Sequence, residues 1–375
     1  MRKILIPLMG LSFIPFTLSS CNQNKNNTLS VTYNISENEK FESCICDTTE
    51  DSFKSLGFTL GDSLNISFSN GYTINDIPYF SGYYVKTGYP LVVSYPGFNS
   101  VSITYNNEGI WSKANLDNTL TVTITLNEVG KYKDTEEALS QKYSDNLADY
   151  TAEAEFANFR VINNGNLKTN LLYRGASPCD NVHNRASVVD NLLKENNIDF
   201  IIDLADSKDN MESYINNTTY DFPYTKSLYK DNKIALLEMG SSFSSDSYKA
   251  ALYKGLYDML ESNPSRVYIH CMEGKDRTGF VCLLLEALVG ASYTELRDDY
   301  MMTYYNYYKI SESNNKSKYD AIVSLYFDAF LEYLHGTSDQ EVLKNASFVE
   351  DAKEYIRSMG ASEFFIEKLI NFLTK

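Results

Sequence analysis

His270-Cys271-Met272-Glu273-Gly274-Lys275-Asp276-Arg277-Thr278-Gly279 is the stretch on which the reading of this 375-residue chain turns. The apolar run Val267-Tyr268-Ile269 leads into it, and a longer apolar run, 280–288, leaves it. A strand, a tight loop and a helix start are therefore written in that order. Such a turn aims successive backbone N–H groups and a helix N-terminus at one point, which is a geometry for an anion. Cys271 sits at the base of the turn, and five residues separate it from Arg277.

Hydrolysis of a phosphate ester at a cysteine needs four things, and the stretch offers a residue for the first three. The first is a thiolate. Cysteines under several N–H groups at a helix N-terminus titrate well below the usual thiol range, and Cys271 occupies that place. The second is a clamp for the equatorial oxygens of the transferring group. Arg277 serves here through its planar fork, with the backbone of Met272, Glu273, Gly274, Lys275 and Gly279 around the phosphate. Gly274 lets the chain turn so that these amides face inward. The third is stabilisation of the sulfur as it leaves, for which the Thr278 hydroxyl is the candidate. The fourth is an acid for the leaving oxygen that later acts as the base for water. Because the loop supplies the positive field itself, no metal or cofactor is expected. His270 is expected to anchor the loop by hydrogen bonding.

His-Cys-x-x-Gly-Lys-Asp-Arg-Thr-Gly resembles the loop of the atypical bacterial tyrosine phosphatases, a secreted group with protein-tyrosine and phosphoinositide activity. Asn158-Phe159-Arg160, Leu172-Tyr173-Arg174-Gly175-Ala176 and Ile201-Ile202-Asp203-Leu204 are similar to its "FR", "YRSG" and "IDLR" segments. The likeness spans about residues 145–310. It implies a cysteine-dependent phosphatase acting through a phosphocysteine intermediate on phosphorylated proteins or on phosphoinositides and inositol phosphates. It also makes Asp276 the candidate general acid, with Asp206 and then Asp180 as alternatives. Two positions depart from the pattern: Ala205 stands where the family has arginine, and Gly175 where it has serine. A lysine at the place of Lys275 accompanies activity on substrates with neighbouring phosphates in related loops. Arg174 is a candidate substrate-binding residue, and His183 and Arg185 are candidates for a substrate rim, with an ordinary capped loop before a helix from Ala186 as the alternative. A rhodanese-like sulfurtransferase and a non-catalytic phospho-ligand binding module are the competing classes, and Thr278-Gly279 together with the intact Cys271–Arg277 pair weigh against them.

The rest of the chain sets the context. The formal net charge is −16 with no basic stripe, which weighs against a nucleic-acid partner. The first twenty residues read as a leader: Arg2 and Lys3, an apolar stretch 4–18, then Leu18-Ser19-Ser20-Cys21, which resembles a bacterial lipobox. Cys21 is thus the expected lipidation site, and the protein is expected to be an exported, membrane-anchored lipoprotein outside the cytoplasm. Residues 21–56 are expected to form a tether. The three histidines, His183, His270 and His335, do not pair with cysteines at ligand spacing. Cys44 and Cys46 are too close together for an ordinary bridge.

Two folded units are expected. Residues 57–131 read as a small all-β barrel or sandwich, with strands at 64–69, 83–86, 91–94, 101–105 and 120–126 between Gly-containing turns. Gly61-Asp62-Ser63, Ser69-Asn70-Gly71-Tyr72, Gly82-Tyr83-Tyr84 and Tyr95-Pro96-Gly97 are similar to the C-terminal β-domain of S-adenosylmethionine hydroxide adenosyltransferases. Residues 132–375 read as an α/β unit with a mostly parallel central sheet flanked by helices. A strand at 200–204, a helix at 247–260 and the strand before the loop form its crossover. Capping boxes are expected at Ser292-Tyr293-Thr294-Glu295 and Thr337-Ser338-Asp339-Gln340. The cluster Tyr300, Tyr304, Tyr305, Tyr307 and Tyr308 reads as a packing stripe whose first turns border the cleft.

Overall fold

A computed structural model describes residues 29–38, 42–86, 88–94, 99–106, 109–240 and 242–374. The leader, Cys21, 22–28 and Tyr95-Pro96-Gly97 lie outside the described residues. Alternating side chains close the N-terminal part into a seven-stranded barrel: β1 (Ser30–Asn38), β2 (Ser43–Cys46), β3 (Ser63–Phe68), β4 (Thr73–Phe80), β5 (Pro90–Val93), β6 (Val101–Tyr105) and β7 (Thr121–Glu128). The order is β1-β2-β6-β5-β4-β3-β7, and β7 returns to β1 with Val31 opposite Ile124. Every pairing is antiparallel except β4 with β5. Leu64, Ile66 and Phe68 point inward from β3 and are buried, as period-two patterning requires. Cys44 and Cys46 share one face of β2, and both are free and buried.

The barrel begins earlier than the sequence reading placed it. Residues 30–56, read as tether, supply β1, β2 and a short helix, Glu50–Ser55. Val31, Tyr33 and Ile35 do alternate, but the polar residues between them gave the segment the composition of a linker. Residues 83–86, read as a strand, form a loop, and the strand is 73–80 instead. Pro78 and a left-handed Asp76 (φ 57°) disguise it, and the β3–β4 register shifts between Leu64 and Ile66.

The C-terminal part is built on a five-stranded sheet of order β11-β10-β12-β9-β8. Its strands are β8 (Arg160–Ile162), β9 (Leu172–Gly175), β10 (Phe200–Asp203), β11 (Ile234–Leu236) and β12 (Val267–His270). All neighbours are parallel except β8 with β9. The expected crossover is present with three additions: the helices Lys208–Asn216 and Pro223–Lys230 and the strand β11 intervene between β10 and the helix Asp246–Ser262. Ser245 caps that helix and left-handed Asn263 ends it before β12.

β12 lies between β10 and β9, so its C-terminal end opens over the middle of the sheet, where α/β sheets place ligands. The helix that follows, Asp276–Leu288, is buried at every position from Thr278 to Leu288. A helix apolar all round must be enclosed, and this one is walled by the helices Tyr293–Tyr308 and Val349–Ser358. The capping box at Ser292 and Glu295 is present. The second expected box is displaced: Asp339 caps Gln340–Asn345, while Thr337 accepts from the Asp339 N–H. Among the described residues no helix is long and apolar enough to cross a membrane.

Candidate active site

The turn after β12 is held from outside by its carbonyl groups. Met272 C=O accepts from the Ser177 N–H at 2.9 Å. Glu273 C=O accepts from the Tyr307 hydroxyl at 2.7 Å and from Asn158 Nδ2 at 3.3 Å. Gly274 C=O accepts from Arg174 Nη2 at 3.0 Å and Asn158 Nδ2 at 3.2 Å. Three successive carbonyls pinned outward leave the N–H groups of the turn facing the other way, into a cup. Cys271, 4% exposed, lies beneath it.

Gly274 takes a left-handed φ of 68°, and a Cβ there would come within 2.2 Å of the Gly175 carbonyl oxygen. A Cβ on Gly175 would itself meet the Tyr268 hydroxyl at 2.5 Å. The departure of Gly175 from the expected serine is thus a packing requirement of this chain.

Arg277 is half-buried at the start of the loop helix. Its Nη1 donates to the Met239 carbonyl at 2.9 Å and reaches the Leu204 carbonyl at 3.4 Å. One guanidinium nitrogen is therefore fixed to the wall, which orients the fork. Thr278 is fully buried and its Oγ1 has no protein partner. His270 is fully buried, with Nδ1 3.1 Å from the Cys271 carbonyl and Nε2 3.8 Å from Asp203 Oδ2. Burial lowers its pKa to about 4, so it is a neutral support under the loop.

The three candidate acids occupy different surroundings. Asp276 opens the loop helix with its side chain 65% exposed, 3.8 Å from Lys275 Nζ. Asp206 is 5% exposed, accepts from the Tyr214 hydroxyl at 3.1 Å, and lies 3.8 Å from Cys179 Sγ. Burial, then the charge of Asp203, raise the Asp206 pKa to about 7. Burial likewise raises Asp203 to about 6, against two backbone N–H donors. Cys179, Asp203 and Asp206 have ligand-type atoms within 4.8 Å of one another. Asp180 serves a turn, accepting from the Val182 N–H.

Two of the expected substrate-binding residues are internal. Arg174 is fully buried behind the loop, bound to Asp299 Oδ2 at 2.5 Å and to Gly274. Arg185, 2% exposed, donates to the Phe156 and Ser144 carbonyls and to Asp145, and stacks on Phe156. Neither guanidinium is open to solvent, because each is consumed by backbone and carboxylate acceptors. His183 does reach the cleft, held between Asp145 and the Tyr143 hydroxyl. Of the tyrosine stripe, Tyr300, Tyr304 and Tyr307 are buried, and it is the last turns, through Tyr304 and Tyr308, that border the cleft.

Asn158, Tyr307 and Asp299 went unrecognised as supports of the loop. Asp299 had a signal: it lies on the face of its helix that carries Leu296 and Thr303, where an acid requires a partner. Arg160 at 2.7 Å and Arg174 are that partner, and they hold the Asp299 pKa down to about 2 against the cost of burial.

An uncharacterized conserved protein from Thermotoga maritima is 14% identical over 25% of this chain and 35% of its own, with a TM-score of 0.23. P. aeruginosa TpbA is 15% identical over 58% of this chain and 96% of its own, also at a TM-score of 0.23. No curated protein matches the chain. Residues 154–375, more than half of the chain, match the tyrosine phosphatase family, and the chain belongs to that family.

Proposed function

We propose that the protein is a cysteine-dependent phosphatase that hydrolyses phosphate monoesters through a phosphocysteine intermediate and needs no metal. The outward pinning of the carbonyls of Met272, Glu273 and Gly274, which turns the loop's N–H groups over Cys271, carries this reading. Those N–H groups and Arg277 bind the non-bridging oxygens of the phosphoryl group. The Cys271 thiolate attacks phosphorus in line with the leaving oxygen. The P–S bond forms as the P–O bond breaks, and the acid delivers its proton to the departing oxygen. Water then attacks phosphorus, the same carboxylate takes a proton from it, and the P–S bond breaks to return the thiolate and release phosphate.

Asp276 is the acid in this scheme, because it stands exposed at the lip of the cup, whereas Asp206 is enclosed between Tyr214 and Cys179. Thr278, whose hydroxyl has no other protein partner, stabilises the departing sulfur. The substrates are phosphotyrosyl proteins or phosphoinositides, with inositol polyphosphates as the second reading because Lys275 stands in the loop. The protein works outside the cytoplasm, anchored through lipidated Cys21.

Assay of the leaderless protein on p-nitrophenyl phosphate, with chelator, with vanadate and beside Cys271→Ser, tests the scheme. Activity is expected to survive chelator and to be lost with vanadate and in Cys271→Ser. Loss with chelator, or retention in Cys271→Ser, removes the mechanism.

A further inference from the structure

Cys179, Asp203 and Asp206 come together from two segments, the turn after β9 and the end of β10, and all three are buried. Each carboxylate spends one oxygen on the protein. Asp203 Oδ1 accepts from the Ala205 and Asp206 N–H groups at 2.9 and 3.1 Å, while its buried Oδ2 has no hydrogen-bond partner. Asp206 Oδ1 accepts from the Tyr214 hydroxyl at 3.1 Å, while its Oδ2 faces Cys179 Sγ at 3.8 Å. Ser177 Oγ steadies that sulfur at 3.4 Å. Among the described residues neither acid forms an ion pair with a lysine or arginine, and the charge of Arg277 acts on Asp203 more weakly than burial and the two N–H donors do.

His270 points at the same centre independently. Its Nδ1 lies 3.1 Å from the Cys271 carbonyl, which can only accept, so Nδ1 carries the ring proton and Nε2 a lone pair. Nε2 is buried without a hydrogen-bond partner, 3.8 Å from Asp203 Oδ2. Two acceptors thus face each other in the interior, which is costly unless a cation lies between them. A proton shared by the two acids would leave the imidazole lone pair unmet. Thiolate, imidazole and two carboxylates are donors for a borderline divalent metal of the zinc type, whereas calcium and magnesium take oxygen. Such donors stand about 3.3–3.8 Å apart around tetrahedral zinc. The two 3.8 Å pairs therefore fit as they are, and the trio, within 4.8 Å, closes by at most about 1 Å.

We propose that Cys179, Asp203, Asp206 and His270 form a structural site for a zinc-type divalent cation beneath the phosphate loop. No step of phosphoryl transfer passes through it, and it stands or falls apart from the phosphatase reading. Its action is on the supports of the loop. Ser177, beside Cys179 in the turn, donates its N–H to the Met272 carbonyl. Leu204, next to Asp203, offers its carbonyl to Arg277 Nη1, and His270 bonds the Cys271 carbonyl. A cation at this point ties together three segments that hold the loop.

Cobalt(II) tests the site, because a bound thiolate gives it a near-ultraviolet charge-transfer band and a tetrahedral donor set gives it strong visible bands. The measurement is made in Cys271→Ser, which removes the catalytic thiol as a competing ligand. This protein is expected to take up about one cobalt per chain with both signatures, to exchange it for zinc, and to unfold about 5 °C higher or more with zinc than with chelator. In that background Cys179→Ala should abolish the charge-transfer band, and Asp206→Asn should weaken cobalt binding by about tenfold or more. Circular dichroism checks that each variant is folded, and if Cys179→Ala is not, the affinity of Asp206→Asn decides. No band in Cys271→Ser, a band that persists in folded Cys179→Ala, or an unchanged affinity in Asp206→Asn overturns the proposal.

Discussion

Arg174 donates to the Gly274 carbonyl at 3.0 Å from a fully buried position, so an arginine that never sees substrate sets the aim of the phosphate loop. Asp299 holds the same guanidinium at 2.5 Å and Arg160 at 2.7 Å, making one buried network of three charges. Arg174→Ala should therefore cost about 3–5 kcal/mol of stability, because it leaves the network short of a cation. Arg174→Lys keeps the charge but not the planar fork, and should lower kcat while the protein stays folded. Urea unfolding and steady-state kinetics read the two effects, and an unchanged kcat in Arg174→Lys would detach Arg174 from the loop.

Gly274→Ala should be worse for activity than for folding. The new Cβ would meet the Gly175 carbonyl at 2.2 Å, so the peptide must rotate and the amides of the cup with it. Misaimed donors of this kind cost about 10²–10³ in kcat, and the backbone strain about 1–3 kcal/mol. Vanadate affinity, measured alongside turnover, should weaken. Tight vanadate binding in the variant would show that the cup tolerates the side chain.

Asp276→Asn and Asp206→Asn separate acid from wall. With Asp276 as acid, Asp276→Asn should slow a poor leaving group, such as a phenyl phosphate, by about 10²–10⁴ and a nitrophenyl phosphate far less. Asp206→Asn should slow both to the same small extent. The reverse pattern transfers the role to Asp206.

Asp206 also predicts a pH effect on stability. Burial and the neighbouring Asp203 raise its pKa to about 7, above its value of about 3.9 in an unfolded chain. The folded state therefore holds this proton more tightly. Its contribution is complete below about pH 4 and is lost as pH rises through about 7. Asp203, raised to about 6, acts in the same direction, and His270, lowered to about 4, in the opposite one. The stability difference between the natural protein and Asp206→Asn should thus shift in favour of Asp206→Asn between pH 5 and pH 8. Parallel pH–stability curves for the two proteins would contradict the assignment.

The stretch from His270 to Gly279 carried its own meaning because the cup is local: a strand end, a glycine turn and a helix start follow directly in the chain. The strand, turn and helix start that carry Cys271, Gly274, Arg277 and Thr278 were legible for that reason, and so was the α/β class, through the buried strands around residues 200 and 268. The burial of Arg174 and Arg185, both expected to bind substrate, was not legible because a charge in a sequence looks solvent-facing until its partners are known. Those partners, Asp299 and the Gly274 carbonyl for one and Asp145 with the Phe156 carbonyl for the other, lie far away along the chain. Residues 30–38 looked like tether because a strand with one polar face gains its identity only when β7 pairs with it. By itself, then, the amino-acid sequence determined the strand, turn and helix start that carry Cys271 and Arg277. The tertiary structure alone decided what aims that turn, because those contacts depend on how distant segments pack.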